Sequence, residues 1–361
     1  MCLRNLYLKT NTMKNYSGII TRVLYTIIAI SAFSFSSFSQ SDSIRPIHVG
    51  LVYPISSNGL KAAEYTNRFS LHAIAGLSNN ETSAAITGFA NIVKQDANGA
   101  IISGAVNLIG NSASGAQIAG FSNIIKNEAK GTQVAGFLNL AGSSQSVQVA
   151  GFSNIVKDDA KGIQVSGFLN KGKNVSNQVA GFMNIAKNVK GVQLAGLINI
   201  ADSSSYPIAL LNFVKNGEKS VSISLDETLT SMATFRSGGR VLYGILGIGY
   251  NFNDDGKSLF AVESGLGAQF GLSKSLRLST EIVSQQLSDF KRGHYSKHNI
   301  RLLPAVKFGR MEIFAGPTIN YVNYTQKKDH SFIKKYMWSK NGSKDFQGIY
   351  VGVVGGLKMI L

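Results

Sequence analysis

Cysteine is all but missing from this sequence: 361 residues hold one, Cys2, and proline (5) and tryptophan (1) are nearly as rare, whereas glycine reaches 38. One thiol excludes a disulfide framework and a cysteine-ligated metal centre. Cys2 precedes the apolar run instead of following it, so a lipid-anchored N-terminus is not expected either. Few prolines leave room for long uninterrupted strands. No apolar run is long enough to cross a bilayer as a helix: the longest near the start, Val23 to Phe33, has 11 residues. Acids are scarce, 19 against 36 Lys and Arg, and the formal charge is +17. Nothing in such a composition offers the acidic triad or the nucleophile with a neighbouring base that hydrolytic chemistry needs, and an enzyme is not expected.

The start of the chain has a use of its own. Lys14 and Arg22 precede the apolar run, and Ser37-Phe38-Ser39 gives a small-x-small site before Gln40. This is the pattern of a secretory signal over 1–39, with Met1 or Met13 as initiator. The expected divisions after it are N-terminal strands over 40–84, a repeat array over 85–214 and a barrel-like region over 215–361.

The array repeats one phrase, Gly-x-Gln-x-Ala-Gly-Phe-x-Asn-Ile, with its second glycine at Gly88, Gly104, Gly120, Gly136, Gly151, Gly167, Gly181 and Gly196. Three residues later stands Asn, as at Asn123, Asn139, Asn154 and Asn170; three residues earlier stands Gln in most units, as at Gln117, Gln133, Gln148 and Gln164. These glycines, asparagines and glutamines are the candidate structural residues of the repeat. From Gly131 to Ala141 the side chains divide by alternation into Gln133, Ala135, Phe137, Asn139 and Val134, Gly136, Leu138, Leu140, which is the period of a strand. The fold expected is therefore all-β. If Val134, Gly136, Leu138 and Leu140 face lipid, Phe137 faces inward with Gln133 and Asn139, and Ser122 and Ser153 fall on the lipid face.

Connecting turns alternate in character. Those after Asn91, Asn123, Asn154 and Asn184 are charged, as in Ile-Val-Lys-Gln-Asp-Ala-Asn-Gly, while those after Asn107, Asn139, Asn170 and Asn199 run into Ser and Asn. Two turn classes suggest two opposite sheet edges and so favour an antiparallel meander of hairpins. The alternative is a parallel β-solenoid, in which like Asn and Gln residues stack as ladders.

Asn216-Gly217 is a hairpin signal, and beyond Gly238-Gly239 the text turns to long alternating strands. In Ser258 to Gly271, Phe260, Val262, Leu266, Ala268 and Phe270 oppose Glu263, Gly265, Gly267 and Gln269. In Ser275 to Gln286, Leu276, Leu278 and Ile282 oppose Arg277, Glu281 and Gln285. Further strands are expected over Val241 to Phe252, Asn299 to Gly309, Met311 to Tyr324 and Gln347 to Leu361. One apolar face per strand, short turns and a strand at the C-terminus are the marks of a transmembrane β-barrel; a soluble β-sandwich has the same alternation.

Candidate chemistry is sparse. His294-x-x-x-His298 has ligand spacing only on a helix, and its surroundings read as a polar hairpin. His48, His72 and His330 are isolated. Gly244-x-x-Gly247-x-Gly249 reverses the dinucleotide fingerprint and opens no helix. Glu263 and Glu281 with Arg277 read as a cross-strand charge cluster lining a lumen. No cofactor or metal is expected. A basic segment, Lys327, Lys328, Lys334, Lys335, Trp338, Lys340 and Lys344, is either a solvated loop or a contact for anionic lipid or glycan at the surface. Nucleic acid is not an expected partner.

The tandem phrase, as in Gly131-Thr132-Gln133-Val134-Ala135-Gly136-Phe137-Leu138-Asn139-Leu140, resembles the short tandem surface repeat of uncharacterised bacterial cell-surface and outer-membrane proteins. The resemblance spans about residues 85 to 201. Departures are Ile101 for Gln, Ser146 and Ser176 for the leading Gly, and Lys171 for the aliphatic. It implies an envelope location and brings no activity. The function expected is that of an exported outer-membrane barrel, or a barrel-associated repeat protein, with a structural or passive-pore role. The alternative is a secreted or surface-attached binding module that presents its Gln and Asn rows.

Overall fold

Gly136 and Gly151, Asn139 and Asn154, and Gln133 and Gln148 lie one above the other in the computed structural model, which describes residues 43–253, 259–288, 290, 295–325, 332–333, 335–342 and 345–361. Every pairing between repeat units is parallel and joins like position to like position, so the array is a β-solenoid and not the favoured meander. Each coil has a long strand such as Ala160–Ser166 and a short one such as Ser153–Val156. The coil geometry begins before the recognisable phrase, with Ile44–Val52 paired parallel to Thr66–His72, and ends at Leu211–Val214.

The alternating turns have another cause than two edges. They stack on one edge, where Asn111 donates to Asp96 at 2.7 Å and Asn127 to Asn111 at 2.6 Å. Lys94 and Gly110 follow each other there, as do Lys126 and Gly142. Spacing charged turns by a neutral coil roughly doubles the ~4.8 Å strand separation between like charges.

Alternation carried across Gly136 also misplaces the phenylalanines. The chain turns a corner at Gly136-Phe137, so Phe137 points outward at 39% exposure while Gln133 and Asn139 are fully buried. Ser122 and Ser153, expected on the outer face, are buried. Around the interior, apolar side chains such as Ile125, Ala129, Ala141 and Val156 pack toward the charged edge. Only glycine fits the corner: a Cβ on Gly136 would stand 2.1 Å from the Gly120 carbonyl oxygen.

The remaining strands close into an eight-stranded antiparallel barrel: Lys219–Asp226, Thr230–Gly238, Leu242–Asn251, Leu259–Gly271, Leu276–Ser288, Tyr295–Phe308, Met311–Thr325 and Asp345–Ile360. The last pairs with the first, so the barrel's sheet returns on itself. Asn216-Gly217 turns the chain from solenoid to barrel and joins no hairpin, since Leu211–Val214 and Lys219–Asp226 belong to different sheets. Segments 239–241, 272–275 and 309–310 form a short-turn end, which also holds both ends of the barrel's own chain. The solenoid meets the barrel at this end. Its last Asn, Asn212, donates from its side chain to the Ser237 carbonyl at 3.1 Å and from its backbone N–H to the Ser237 hydroxyl at 2.9 Å.

The corner makes a first prediction. Gly136→Ala should destabilise the full chain by about 1–3 kcal/mol, as forced overpacking does, whereas Val134→Ala on the outer face should change it little. Denaturant unfolding of both variants measures this, and an unperturbed Gly136→Ala protein would contradict the stacked corner.

Candidate functional site

The repeat residues singled out in the sequence are internal. Asn123, Asn139, Asn154 and Asn170 are fully buried, and each amide donates to the next Asn at 2.9–3.0 Å and to a backbone carbonyl near the following corner. Gln148 donates to Gln133 and Gln164 to Gln148 at 2.6 and 2.9 Å, while the row stops at Gln117, where Ile101 takes the next place. The hydrogen bonds of the Gln row stop one step earlier, at Gln133, and where the amides are paired they stabilise the stack. These side chains lie inside the solenoid and not on its surface, where the alternative reading places them.

A second polar assembly fills the barrel. Glu263 and Glu281 do face the lumen together, but their cations are not Arg277. Arg236 meets Glu281 at 2.7 Å, Arg301 reaches Glu263 at 2.8 Å, and the Tyr243 hydroxyl donates to Glu281 at 2.9 Å. Arg277 lies nearer the short-turn end, at 2.7 Å from Glu218 and 2.9 Å from Glu312. Lys358 pairs with Glu312, and toward the other end Lys297 pairs with Asp226. Sequence reasoning missed Arg236, Arg301, Lys297 and Lys358. The signal for the first was available in the alternation of Thr230, Thr234 and Arg236 with Ser231, Ala233 and Phe235.

Outside, the barrel reverses this polarity. Ile223, Ile248, Val262, Ile282, Ile300, Ile319 and Val351 are exposed. Phe252, Phe260, Phe290 and Trp338 form an aromatic belt toward one end and Phe270 and Phe308 toward the other. Among the described residues, no Asp, Glu, Lys or Arg occupies an outward strand position between the belts.

The described part of the basic segment lies at the end opposite the solenoid. Lys335, Trp338 and Lys340 are exposed there, with Trp338 on a short strand paired to Ile349. Lys327, Lys328, Lys334, Lys344, His294 and His330 lie outside the described residues. His298 stands on the outer face of a barrel strand, stacked on Tyr321, so the helical ligand spacing with His294 fails. The signal over 1–39 also lies outside the described residues.

The first coils bring together residues that appeared isolated. His48, His72 and Glu81 are buried with Asn67, Ser70 and Ser56. Asn67, its amide oriented by Asn58, donates to Nδ1 of His48 and to Glu81, both at 3.2 Å. His48 thus carries its proton on Nε2, 3.0 Å from the Ser56 hydroxyl and 3.3 Å from Nε2 of His72. Burial, and then His72, lower His48 to about 4, and burial lowers His72 also. Burial pushes Glu81 up to about 7 against hydrogen bonds from Ser70 and Asn67. Among the described residues no group of three or more metal-ligating side chains forms a cation site. The cluster is a closed polar plug.

Comparison of the chain with protein-family models, with curated proteins and with solved structures finds no match. The site is therefore read from its own geometry.

The plug predicts a pH dependence. A raised carboxyl contributes stability that is full below its ordinary pKa and lost as pH rises toward about 7. The lowered histidines act oppositely, contributing above 6.5 and losing it as pH falls. Glu81→Gln removes only the first effect. Its unfolding midpoint should exceed that of the parent at pH 8 and converge on it at pH 5; an equal difference at both pH values would show that Glu81 is not buried as a strained acid.

Proposed function

We propose that this is an exported envelope protein whose barrel lies in the outer membrane and holds the solenoid beside that membrane in a structural role. The observation that carries this reading is the barrel's polarity: paired charges inside and an uncharged apolar band between aromatic belts outside. A bilayer requires every backbone group to be paired, which a closed barrel satisfies, and the band matches what lipid-facing strands present. In water the same surface would be a large exposed apolar patch.

Of the structural and passive-pore roles, the lumen favours the first. Arg236, Glu281, Arg301, Glu263 and Tyr243 cross-link the middle of an eight-stranded barrel, whose interior is only wide enough for side chains to fill. In barrels of this kind short turns face the periplasm and longer loops the exterior. The solenoid joins at the short-turn end, which supports placing the repeats on the periplasmic side, not on the cell surface. Lys335, Trp338 and Lys340 would then face outward, toward anionic lipid or glycan.

The expressed full chain should fractionate with outer membrane and, in detergent, migrate faster unheated than boiled. A protein that is soluble without detergent once 1–39 is deleted would contradict the reading.

A further inference from the structure

The outside of the solenoid carries two apolar rows, flanked on the long strands by Lys130, Lys161 and Lys190. One aliphatic row runs without interruption along the long strands, from Val49 through Leu71, Ile86, Ile102, Ile118, Val134, Val149, Val165, Val179 and Leu194 to Ile208. A second runs along the short strands on the other face, from Leu77 through Ile124 and Leu140 to Ile200 and Phe213, broken by Lys171. Between them, on the corner, Phe121, Phe137, Phe152, Phe168 and Phe182 stack face to face, with centroids 4.8–4.9 Å apart and planes within 6°. The opposite edge carries the lysines and acids of the turns.

We propose that this apolar edge is a lipid-contacting surface, immersed in the leaflet beside the barrel's short-turn end. Three observations select an acyl phase among apolar partners. Ring faces are used up in the stack, so only ring edges point outward; a glycan, which binds aromatic faces, finds no platform. Backbone groups along the rows are paired between coils, which leaves a peptide nothing to hydrogen-bond. The surface is also convex, wrapping from one sheet over the corner to the other. A second copy, itself convex, would cover only a strip of it, whereas a fluid phase covers all three sides.

Position supports the same choice. The corner of the last coil, Ala209-Leu210, packs against Gly244, where a Cβ would stand 2.1 Å from the Ala209 oxygen and 2.2 Å from the Leu210 oxygen. Tyr243 and Ile245 point into the barrel, so Gly244 is an outward position. The apolar edge therefore starts on the barrel's outer wall. An amphipathic body of this kind binds in proportion to the apolar area it buries. The proposal rests on the membrane reading of the barrel.

Single cysteines carrying an environment-sensitive fluorophore, introduced into the full chain with Cys2→Ser, test it after reconstitution in phosphatidylcholine vesicles with or without spin-labelled acyl chains. Labels at Ile282→Cys on the barrel, Phe152→Cys on the edge and Asn127→Cys on the charged edge are compared. The expected result is strong quenching at 282 and 152 and little at 127. Quenching at 282 alone overturns the lipid edge and leaves the barrel in place. Absence of quenching at 282 overturns the membrane reading itself. A label at 152 that is shielded from water yet unquenched, and that reports a second label nearby, assigns the edge to another copy and overturns the proposal.

Discussion

Parallel pairing of each residue with its own counterpart one coil away is the constraint on which the solenoid depends. A strand spacing of about 4.8 Å brings identical side chains into contact at every step. Buried amides accept this repetition because Asn and Gln both donate and accept; the Asn row bonds from coil to coil and the Gln row does so from Gln133 to Gln193, whereas Gln117, next to Ile101, is left without a side-chain partner. Charges do not: Lys94 and Lys126 are spaced by the neutral turn at Gly110, and where charged turns follow each other directly Lys173 pairs with Asp158. Phenylalanines at the corner are left with one arrangement, the stack. The last rung still has an open edge, which would template further pairing. Asn212 closes it on Ser237 of the barrel.

Both halves of the molecule bury polar side chains and expose apolar ones. The solenoid encloses its amide rows beside an apolar cluster and the barrel its ion pairs beside smaller ones, while aliphatic and aromatic side chains line much of the outside of each. Ion pairs such as Arg301 with Glu263 contribute little net stability when buried, because desolvation offsets much of their attraction, and removing one partner is costly. In the narrow barrel they share the interior with buried clusters such as Leu303, Ala305, Phe314 and Val354, and the remaining apolar residues of the strands face outward. In our reading lipid, not water, is the solvent those outer rows meet.

Strand identity and the barrel's two faces were legible in the sequence because alternation survives unbroken from Phe260 to Phe270 and from Leu276 to Gln286. The direction of stacking was not. Alternating turns resemble two edges, and the better signal was the identity of Asn at every step, which a ladder explains and a hairpin does not require. Phe137 was misplaced because period two holds only while the chain runs straight, and Gly136 ends the strand. Arg277 was paired with the wrong acids because the strand Thr230–Gly238, which supplies Arg236, was not delimited. The plug of His48, His72 and Glu81 was hidden for another reason: His48 and His72 come from two coils that lack the repeat phrase, and Glu81 from the start of the first coil that carries it.

The in-register stack is tested most directly by paired cysteines at Asn111 and Asn127, placed in the full chain with Cys2→Ser. These two residues sit in consecutive turns, where the Asn127 backbone N–H donates to the Asn111 carbonyl at 2.9 Å; the ~4.8 Å spacing of paired strands lies within the Cα span of about 4.4–6.8 Å that a disulfide bridges. Mild oxidation should form the intramolecular bond in the folded protein, seen as a mobility shift reversed by reductant, and denatured chain should give it less readily. If turns alternated between opposite edges, the two thiols would stand a full strand apart. Two free thiols after oxidation of folded protein would contradict the solenoid.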